Sequence, residues 1–243
     1  MSYRLHYSEV DSTQKVAIAL AKEGAREGIC VVSAAQTDGH GRNGQPWYSP
    51  AGGLYLSIVL HPDPMGLHLL SLTAGLEILS ELSNVTRSDL KLKWPNDIVI
   101  DAEEAPGFQK LAGVLTDVVN PNGVLPVAVL GVGVNVRRVH FPPELASRVA
   151  FLEDLTEKPV APDALEEPII EAVLRASQRI SSADERADIA AELNRILWGL
   201  GRPVSIEGIP GELAGVGASG EAILKTSTGQ ESFWTGELAL RRK

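Results

Sequence analysis

The chain has 243 residues, with 22 lysines and arginines against 31 acidic residues and a net charge of −9. Its hydrophobic content of 44% is ordinary for a globular protein, and its length allows one large domain or a large and a small one. The acidic balance disfavours general binding to nucleic acid, which depends on lysine and arginine contacts to phosphates.

Membrane and secretion signals are not found in the sequence. No apolar run reaches the roughly 18 residues of a membrane span, and MSYRLHYSEVDSTQ lacks the apolar core of a signal peptide. The single cysteine, Cys30, lies in the apolar run ICVVSAA, which indicates a small buried hydrophobic side chain. Together these features predict a cytoplasmic protein without membrane contact.

The first half of the chain predicts helices alternating with strands. A helix over QKVAIALAKEG has Asp11-Ser12-Thr13 as its N-terminal cap and Gly24 as its stop. The strand ICVVSAAQ, the glycine-rich stretch GHGRNGQPWYSP and the strand LYLSIVL follow. Helical periodicity covers residues 68–82, and LKLKWPNDIVI predicts two strands around a turn at Pro95-Asn96-Asp97.

The second half predicts a hairpin, two helices and a small β unit. QKLAGVLTDVV and LPVAVLGVGVNV, joined by residues 120–123, predict the hairpin, and HFPPEL predicts a loop. Helices follow around 165–180 and 185–198, and then short strands broken by glycine predict a small barrel. We therefore expect an α+β fold with a large mixed or antiparallel sheet in residues 1–198 and a small β domain in residues 199–243.

The glycine-rich stretch, residues 39–50, is either a flexible surface turn or a mobile loop that closes over an anion. It is not a dinucleotide fingerprint, because proline, tryptophan and a strand follow where a helix is required. It is not a P-loop, because no Gly-Lys-Ser/Thr ends it. As a mobile loop, it would bring Arg42 to the anion and Trp47 over an apolar or aromatic group.

Three further motifs each have a structural and a functional interpretation. KWPND at 93–97 is either a simple turn or a set of groups suited to a nucleotide phosphate with Mg²⁺. Lys110 in QKLAGVL either points to solvent at a strand edge or finds a carboxylate or phosphate. The glycines of GVGVN weaken a strand unless something packs closely on them, and Asn135 is either a turn residue or part of a site.

Taken in this order, the motifs resemble those of the biotin–protein ligases. They are Asp-Ser-Thr-Gln at 11–14, Gln36 before GHGRNGQPWYSP, KWPND, KLAGVL and GVGVN, and the resemblance runs from about Ser8 to TGEL at 235–238. It implies a class II synthetase/biotin–lipoate ligase-like fold, with a mixed sheet packed with helices and a small SH3-like β-barrel. It also implies that ATP and biotin form biotinyl-5′-AMP, which biotinylates one lysine of the biotin carboxyl carrier domain of acetyl-CoA carboxylase.

The resemblance further implies which residues form the site. Lys110 and Arg42 would be the catalytic cations, neutralising the biotin carboxylate and the phosphates. The residues implied in biotin binding are Ser12, Thr13, Gln14, Gln36, Gly39, His40, Gly41, Arg42, Lys110, Gly113 and Gly131. Those implied in ATP binding are Arg42, Trp47, Lys93, Asn96, Asp97, Lys110 and Asn135, with Asp97 as the Mg²⁺ ligand.

Two departures from the family pattern carry expectations. His40 and Gln45 stand where many members have arginine, so we expect weaker or pH-dependent retention of the adenylate, because an imidazole changes charge near neutral pH. The Ser12-Thr13 pair lies close to the start of the sequence, which leaves no room for a preceding DNA-binding domain. We therefore expect no repressor function.

Two alternatives stay open beside biotin ligation. A lipoate or octanoate ligase of the same superfamily would act on an apolar acyl chain, which does not need the polar set Ser12, Thr13 and Gln36. A non-catalytic biotin-binding protein would not need Lys110, Arg42 and Asp97. A homodimer formed through a sheet edge is also compatible with the sequence.

Overall fold

A computed structural model describes residues 3–103, 106–120, 123 and 125–241. Its main feature is a seven-stranded sheet in the order β1-β2-β3-β7-β6-β5-β4. Only β1 and β2 are parallel, which makes the sheet mixed, as expected. Its strands are β1 (Tyr3–Tyr7), β2 (Ile29–Ser33), β3 (Leu54–Leu60), β4 (Lys91–Lys93), β5 (Asp97–Asp101), β6 (Phe108–Val119) and β7 (Val127–Val134).

Helices cover both faces of this sheet. They are α1 (Thr13–Lys22), α2 (Leu70–Ser83), α3 (Pro143–Ala146), α4 (Glu166–Arg179) and α5 (Ala183–Ile196). α1 packs on one face, where Val31, Val59 and Val129 point, while their neighbours in the strands join the larger core on the other face. Within the described residues, no helix combines the length and the apolar character needed to cross a membrane.

The start and end of α1 agree with the sequence prediction. The Ser12 hydroxyl accepts from the backbone N–H of Lys15 at 3.5 Å, which caps the helix. Gly24, just beyond the end, has φ +85°, a left-handed conformation that glycine adopts without a steric penalty. The first turn of α1 therefore has a fixed position, which matters because its residues also form part of the site.

A second, five-stranded antiparallel sheet follows the last helix, in the order β11-β10-β9-β8-β12. Its strands are β8 (Pro203–Ile206), β9 (Ile209–Val216), β10 (Ala222–Thr226), β11 (Gly229–Phe233) and β12 (Leu238–Leu240). This arrangement agrees with the predicted small barrel. Its buried residues join the main core, and the indole N–H of Trp94 donates to the Gly220 carbonyl at 3.0 Å.

The structure corrects two predictions of local structure and adds one strand. HFPPEL contains the start of α3, because Pro143 occupies one of the first two helical positions, where its missing N–H costs nothing. Asp97 is the first residue of β5 rather than a turn residue. β1 was not predicted at all. In the predicted turn at 120–123, Pro121 and Asn122 lie outside the described residues.

Cys30 is fully buried in the core, as expected. Burial raises the pKa of its thiol to about 12, because the thiolate would have to be formed away from water. The thiol therefore stays protonated at neutral pH and acts as a small hydrophobic side chain.

Candidate active site

A cavity of about 490 Å³ opens beside the large sheet and is lined by that sheet and by loops that join strands of the second sheet. Strands β3, β6 and β7 provide its floor, and the glycine-rich stretch at 39–50 and the KWPND segment provide its sides. The loops that join β8 to β9 and β11 to β12 add Glu207, Gly236 and Glu237. The cavity therefore combines segments that lie as far apart in sequence as residues 12 and 237.

Most of the predicted site residues meet in this cavity. Its wall includes Ser12, Thr13, Gln14, Gln36, His40, Gly41, Arg42, Trp47, Lys93, Asn96, Asp97, Lys110, Gly113 and Gly131. Gly39 and Asn135 are not part of the wall. A Cβ at Gly39 would lie 2.6 Å from the Ser49 Oγ, so this glycine allows the loop to pack on itself. Asn135 donates to the Lys110 carbonyl at 3.1 Å and so holds the backbone of that lysine.

One end of the cavity is polar but uncharged. The Gln36 Oε1 accepts from the Thr13 backbone N–H at 2.8 Å, and the Thr13 and Ser57 hydroxyls are 2.9 Å apart. The Ser57 hydroxyl donates in turn to Gln14 Oε1 at 2.8 Å. Since buried polar groups must be hydrogen-bonded, this network fixes the side chains that a ligand would meet.

The first glycine of GVGVN, Gly131 in β7, leaves space that the Gln14 amide occupies. A Cβ at this position would lie 2.5 Å from Gln14 Oε1 and 3.4 Å from Ser57 Oγ. The absence of a side chain therefore leaves room for the Gln14 amide against the sheet.

Another part of the wall is charged, with the cations of Arg42, Lys93, Lys110 and Arg148 beside the carboxylates of Asp97, Glu207 and Glu237. The Lys110 Nζ lies 2.6 Å from Asp97 Oδ1 and forms an ion pair with it. The same Nζ is 4.7 Å from the centroid of the Trp47 ring. Arg42 donates to the Gly236 carbonyl at 3.2 Å, which ties the loop to the second sheet. Lys110 therefore points into the cavity and not to solvent at a strand edge.

The Trp47 ring packs against two glycines of the large sheet. Gly113 of β6 and Gly133 of β7 are register partners. A Cβ would lie 3.0 Å from the Trp47 ring at Gly113 and 2.6 Å at Gly133. The Trp47 Nε1 is buried beside Gly133 and has no hydrogen-bond partner among the described residues. The tryptophan thus anchors the glycine-rich loop to the sheet floor.

Lys93 is a buried cation, only 3% exposed. No carboxylate of the described residues lies within 4.0 Å of it, and its Nζ stands 4.9 Å from the centroid of Phe108. Burial lowers the pKa of Lys93, and the nearby Asp97 and Glu237 oppose this shift. A buried cation without a close counter-ion is poised to receive an anion.

Replacing Lys93 by methionine is expected to stabilise the free protein at neutral pH, because methionine keeps the aliphatic packing without a buried charge. A gain of about 1 kcal/mol would raise Tm by about 2–4 °C. Burial holds the pKa of Lys93 in the folded state below its ordinary value of 10.5. Between the two values, the unfolded chain binds a proton that the folded chain lacks, so stability of the unmodified protein rises with pH there.

The advantage of the methionine variant should therefore shrink as pH approaches 10.5, the ordinary lysine value. Thermal unfolding of both proteins across this range measures the effect. Lys91→Met is the matched control, because Lys91 pairs with Asp89 at the surface. A stability difference that stays constant with pH would contradict the interpretation.

Several lining residues were not predicted from the sequence. Ser57 lies in the apolar run LYLSIVL, where a lone serine resembles a core position. Arg148 follows α3, and its carbonyl accepts from the Lys110 N–H at 2.7 Å. Glu207 and Glu237 come from loops that join strands of the second sheet. Two signals were available: Ser57 is a polar residue in the middle of an otherwise apolar strand, and Glu237 lies in TGEL, where the family resemblance ends.

Comparison with known proteins places this site in a family. The model of the biotin/lipoate A/B protein ligase family matches residues 7–135. The chain is 34% identical over 151 residues to the bifunctional ligase/repressor BirA of Bacillus subtilis, which is 60% of this chain and 45% of that protein. It is 34% identical over 156 residues to the biotin–[acetyl-CoA-carboxylase] ligase of Mycobacterium tuberculosis, which is 61% of this chain and 54% of that protein.

The likeness in structure extends over the whole chain. A biotin protein ligase from Aquifex aeolicus, solved in complex with biotin and ATP, is similar with a TM-score of 0.83 and 27% identity, covering 100% of both chains. The chain spans about half the length of the curated relatives that it matches. The matched region contains the α1 cap, the glycine-rich loop, KWPND, KLAG and GVGVN. The chain therefore belongs to the biotin/lipoate A/B protein ligase family.

Proposed function

We propose that this chain is an ATP-dependent biotin–protein ligase, which forms biotinyl-5′-AMP and transfers biotin to a lysine of a carrier domain. One observation carries the proposal: an uncharged hydrogen-bonding end and a charged part that supplies cations share a single cavity. A cyclic urea needs neutral donors and acceptors, whereas a carboxylate and a triphosphate need cations. The similar ligase from Aquifex aeolicus was solved with biotin and ATP, which supports both ligands.

In the first half-reaction, a biotin carboxylate oxygen attacks the α-phosphorus of ATP, the bond to the β-phosphate breaks, and pyrophosphate leaves. Both reactants are anionic, so the reaction requires alignment and neutralisation of charge. Lys110 would hold the carboxylate beside the α-phosphate, and Arg42 would reach the same region from the loop. Neither residue has to exchange a proton, and their contribution would be electrostatic.

In the second half-reaction, the ε-amine of the acceptor lysine attacks the biotinyl carbonyl, and AMP leaves as the amide forms. The intermediate is a mixed anhydride that water would hydrolyse. The site must therefore exclude water until the acceptor lysine binds. The loop at 39–50 suits this task, because Trp47 anchors it to the floor and Asn43 and Gly44 adopt left-handed φ values of 55° and 70°. Closure of this loop would protect the adenylate.

Magnesium would accompany the nucleotide. The described residues contain no group of three His, Cys, Asp or Glu side chains able to hold a metal ion by themselves. Asp97 lines the cavity and its Oδ1 pairs with the Lys110 Nζ at 2.6 Å, so this carboxylate would supply one ligand to a hard cation whose other ligands are phosphates and water. Asp97 would hold Mg²⁺ there, and the ion would offset the phosphate charge.

We also propose the setting in which the ligase acts. The acceptor would be the biotin carboxyl carrier domain of acetyl-CoA carboxylase, as the name of the Mycobacterium tuberculosis relative suggests. Residues 1–198 would form the catalytic domain, and residues 199–243 a small β domain that completes the cavity with Glu207 and Glu237. A cytoplasmic location and a homodimer formed at a sheet edge remain part of this proposal.

Exchange of labelled pyrophosphate into ATP tests the function directly. We expect biotin to support exchange, and lipoate and octanoate to do so at least about 100-fold less well, because their acyl chains leave the polar end unpaired. Faster exchange with lipoate or octanoate would favour the other branch of the family. Biotin binding without any exchange would identify a non-catalytic binding protein.

A further inference from the structure

The orientation of the Gln14 amide is fixed by two acceptors. Its Nε2 lies 2.9 Å from Asp117 Oδ2 and 2.9 Å from the Val129 carbonyl. A carboxylate and a carbonyl only accept hydrogen bonds, so the NH₂ group must face both of them. The Oε1 atom is therefore turned the other way, towards Ser57.

The orientation of the Gln14 amide fixes the direction of the Ser57 hydrogen bond. Its Oγ lies 2.8 Å from Gln14 Oε1, which can only accept, so the single Ser57 proton is donated there. Ser57 is fully buried in β3, and no solvent can supply a replacement partner. The Ser57 hydroxyl can therefore only accept a hydrogen bond from Thr13.

A second set of contacts fixes Gln36 in the same way. Its Oε1 accepts from the Thr13 backbone N–H, and its Nε2 donates at 2.9 Å to Ser49 Oγ. The Ser49 proton goes to the Trp47 carbonyl at 2.9 Å, so Ser49 is free to accept. Gln36 therefore also presents an acceptor to the Thr13 side chain.

The Thr13 hydroxyl lies between these two acceptors. Its Oγ1 is 2.9 Å from Ser57 Oγ and 3.1 Å from Gln36 Oε1. Thr13 has one hydroxyl proton, and both neighbours need it as the donor. No proton is left for a ligand, so Thr13 meets a ligand in the cavity as an acceptor only.

We propose that Asp117, which orients Gln14, and Ser57, which accepts from Thr13, are positioning residues that make Thr13 an acceptor-only group and so select ligands that carry an N–H. This inference rests on the proposed function, in which the ligand N–H belongs to the ureido ring of biotin. Neither residue has to touch the ligand. Gly131 supports the arrangement, since any Cβ there would displace the Gln14 amide.

The test is direct binding of biotin and of two cyclic carbamate analogues, in each of which oxygen replaces one ureido N–H. Calorimetry measures Kd without any need for catalysis. In the unmodified protein, one of the two carbamates should bind at least about 10-fold more weakly than biotin, because its oxygen would face the lone pairs of Thr13. Asp89→Ala is the control, since Asp89 is exposed and pairs with Lys91.

Ser57→Ala removes the closer of the two acceptors of the Thr13 proton and leaves only Gln36 Oε1 at 3.1 Å, so Thr13 can turn its proton towards the ligand more easily. We expect this variant to bind biotin about 10-fold more weakly and to discriminate against the carbamate no more than about 3-fold. Asp117→Ala leaves the Val129 carbonyl as the remaining acceptor for the Gln14 amide, so it should move both values in the same direction by a smaller amount. Asp117→Asn should recover most of the loss, since its amide oxygen still accepts from Gln14.

Each outcome is decisive. Unchanged discrimination in Ser57→Ala, or Asp117→Asn binding as weakly as Asp117→Ala, would overturn the inference while biotin binding by the unmodified protein leaves the proposed function intact. Failure of the unmodified protein to bind biotin would instead overturn the proposed function, and the inference with it.

Discussion

Lys110→Ala is expected to slow formation of biotinyl-5′-AMP by about 100- to 1,000-fold, the usual cost of removing one group that stabilises developing charge. The Lys110 Nζ is the cation paired with Asp97 in the cavity, and its backbone is held by Asn135 and Arg148. Its removal would leave the Asp97 carboxylate uncompensated beside an incoming carboxylate and triphosphate. Single-turnover formation of the adenylate measures this step alone.

Measuring the second half-reaction by itself distinguishes the role of Lys110 in adenylate formation from its role in transfer. Transfer from added biotinyl-5′-AMP to the carrier should fall less than adenylate formation, because the triphosphate charge is no longer present. Lys91→Ala is the matched control: a lysine on a strand of the same sheet, but paired with Asp89 at the surface. Intact adenylate formation in Lys110→Ala would show that the assigned role is wrong.

Gly133→Ala is expected to have the second largest effect, although it adds a single methyl group. Its Cβ would lie 2.6 Å from the Trp47 ring, closer than a methyl and an indole can approach. Trp47 must then move away from the sheet, and the loop that carries Arg42 is no longer anchored there. We expect the KM for ATP to rise and kcat to fall, together lowering kcat/KM by about 30- to 100-fold, as misplacement of reacting groups does.

A double-mutant cycle shows whether the loss acts through the tryptophan. In a Trp47→Ala background the clash disappears, so adding Gly133→Ala should change kcat/KM by no more than about 2-fold. Equal losses from Gly133→Ala in both backgrounds would mean that the strand, and not the indole, is disturbed. Thermal unfolding of each variant checks that the fold persists.

Local signals predicted most of the fold. The cap at Ser12, the stop at Gly24 and the apolar runs of β6 and β7 each need only a few neighbouring residues to be recognised. β1 was missed because Tyr-Arg-Leu-His-Tyr is a half-exposed edge strand without a buried apolar face. Its position depends on parallel pairing with β2, which no local pattern encodes.

Residues of the candidate site that lie in contiguous motifs were predicted from the sequence. Residues that depend on contacts between distant parts of the chain were not. Lys110 and Asp97 lie in recognisable motifs, so their presence in one cavity was expected from the family resemblance. Asp117 reaches Gln14 across 103 residues of sequence, and Ser57 looks like a core position until the sheet places it beside Thr13. Such contacts require the register of β3, β6 and β7, which follows from the whole fold.

The hydrogen bond from Arg42 to the Gly236 carbonyl has a consequence for cooperativity. A ligand enclosed between the loop, the floor and the second sheet is released whenever either sheet opens. Binding therefore adds the same free energy to both opening reactions, about 2.7 kcal/mol at a ligand concentration 100 times Kd. Amide hydrogen exchange in β10, which contributes nothing to the cavity wall, should slow as much as exchange in β6. The ligand would then strengthen the coupling between two sheets that already share one hydrophobic core.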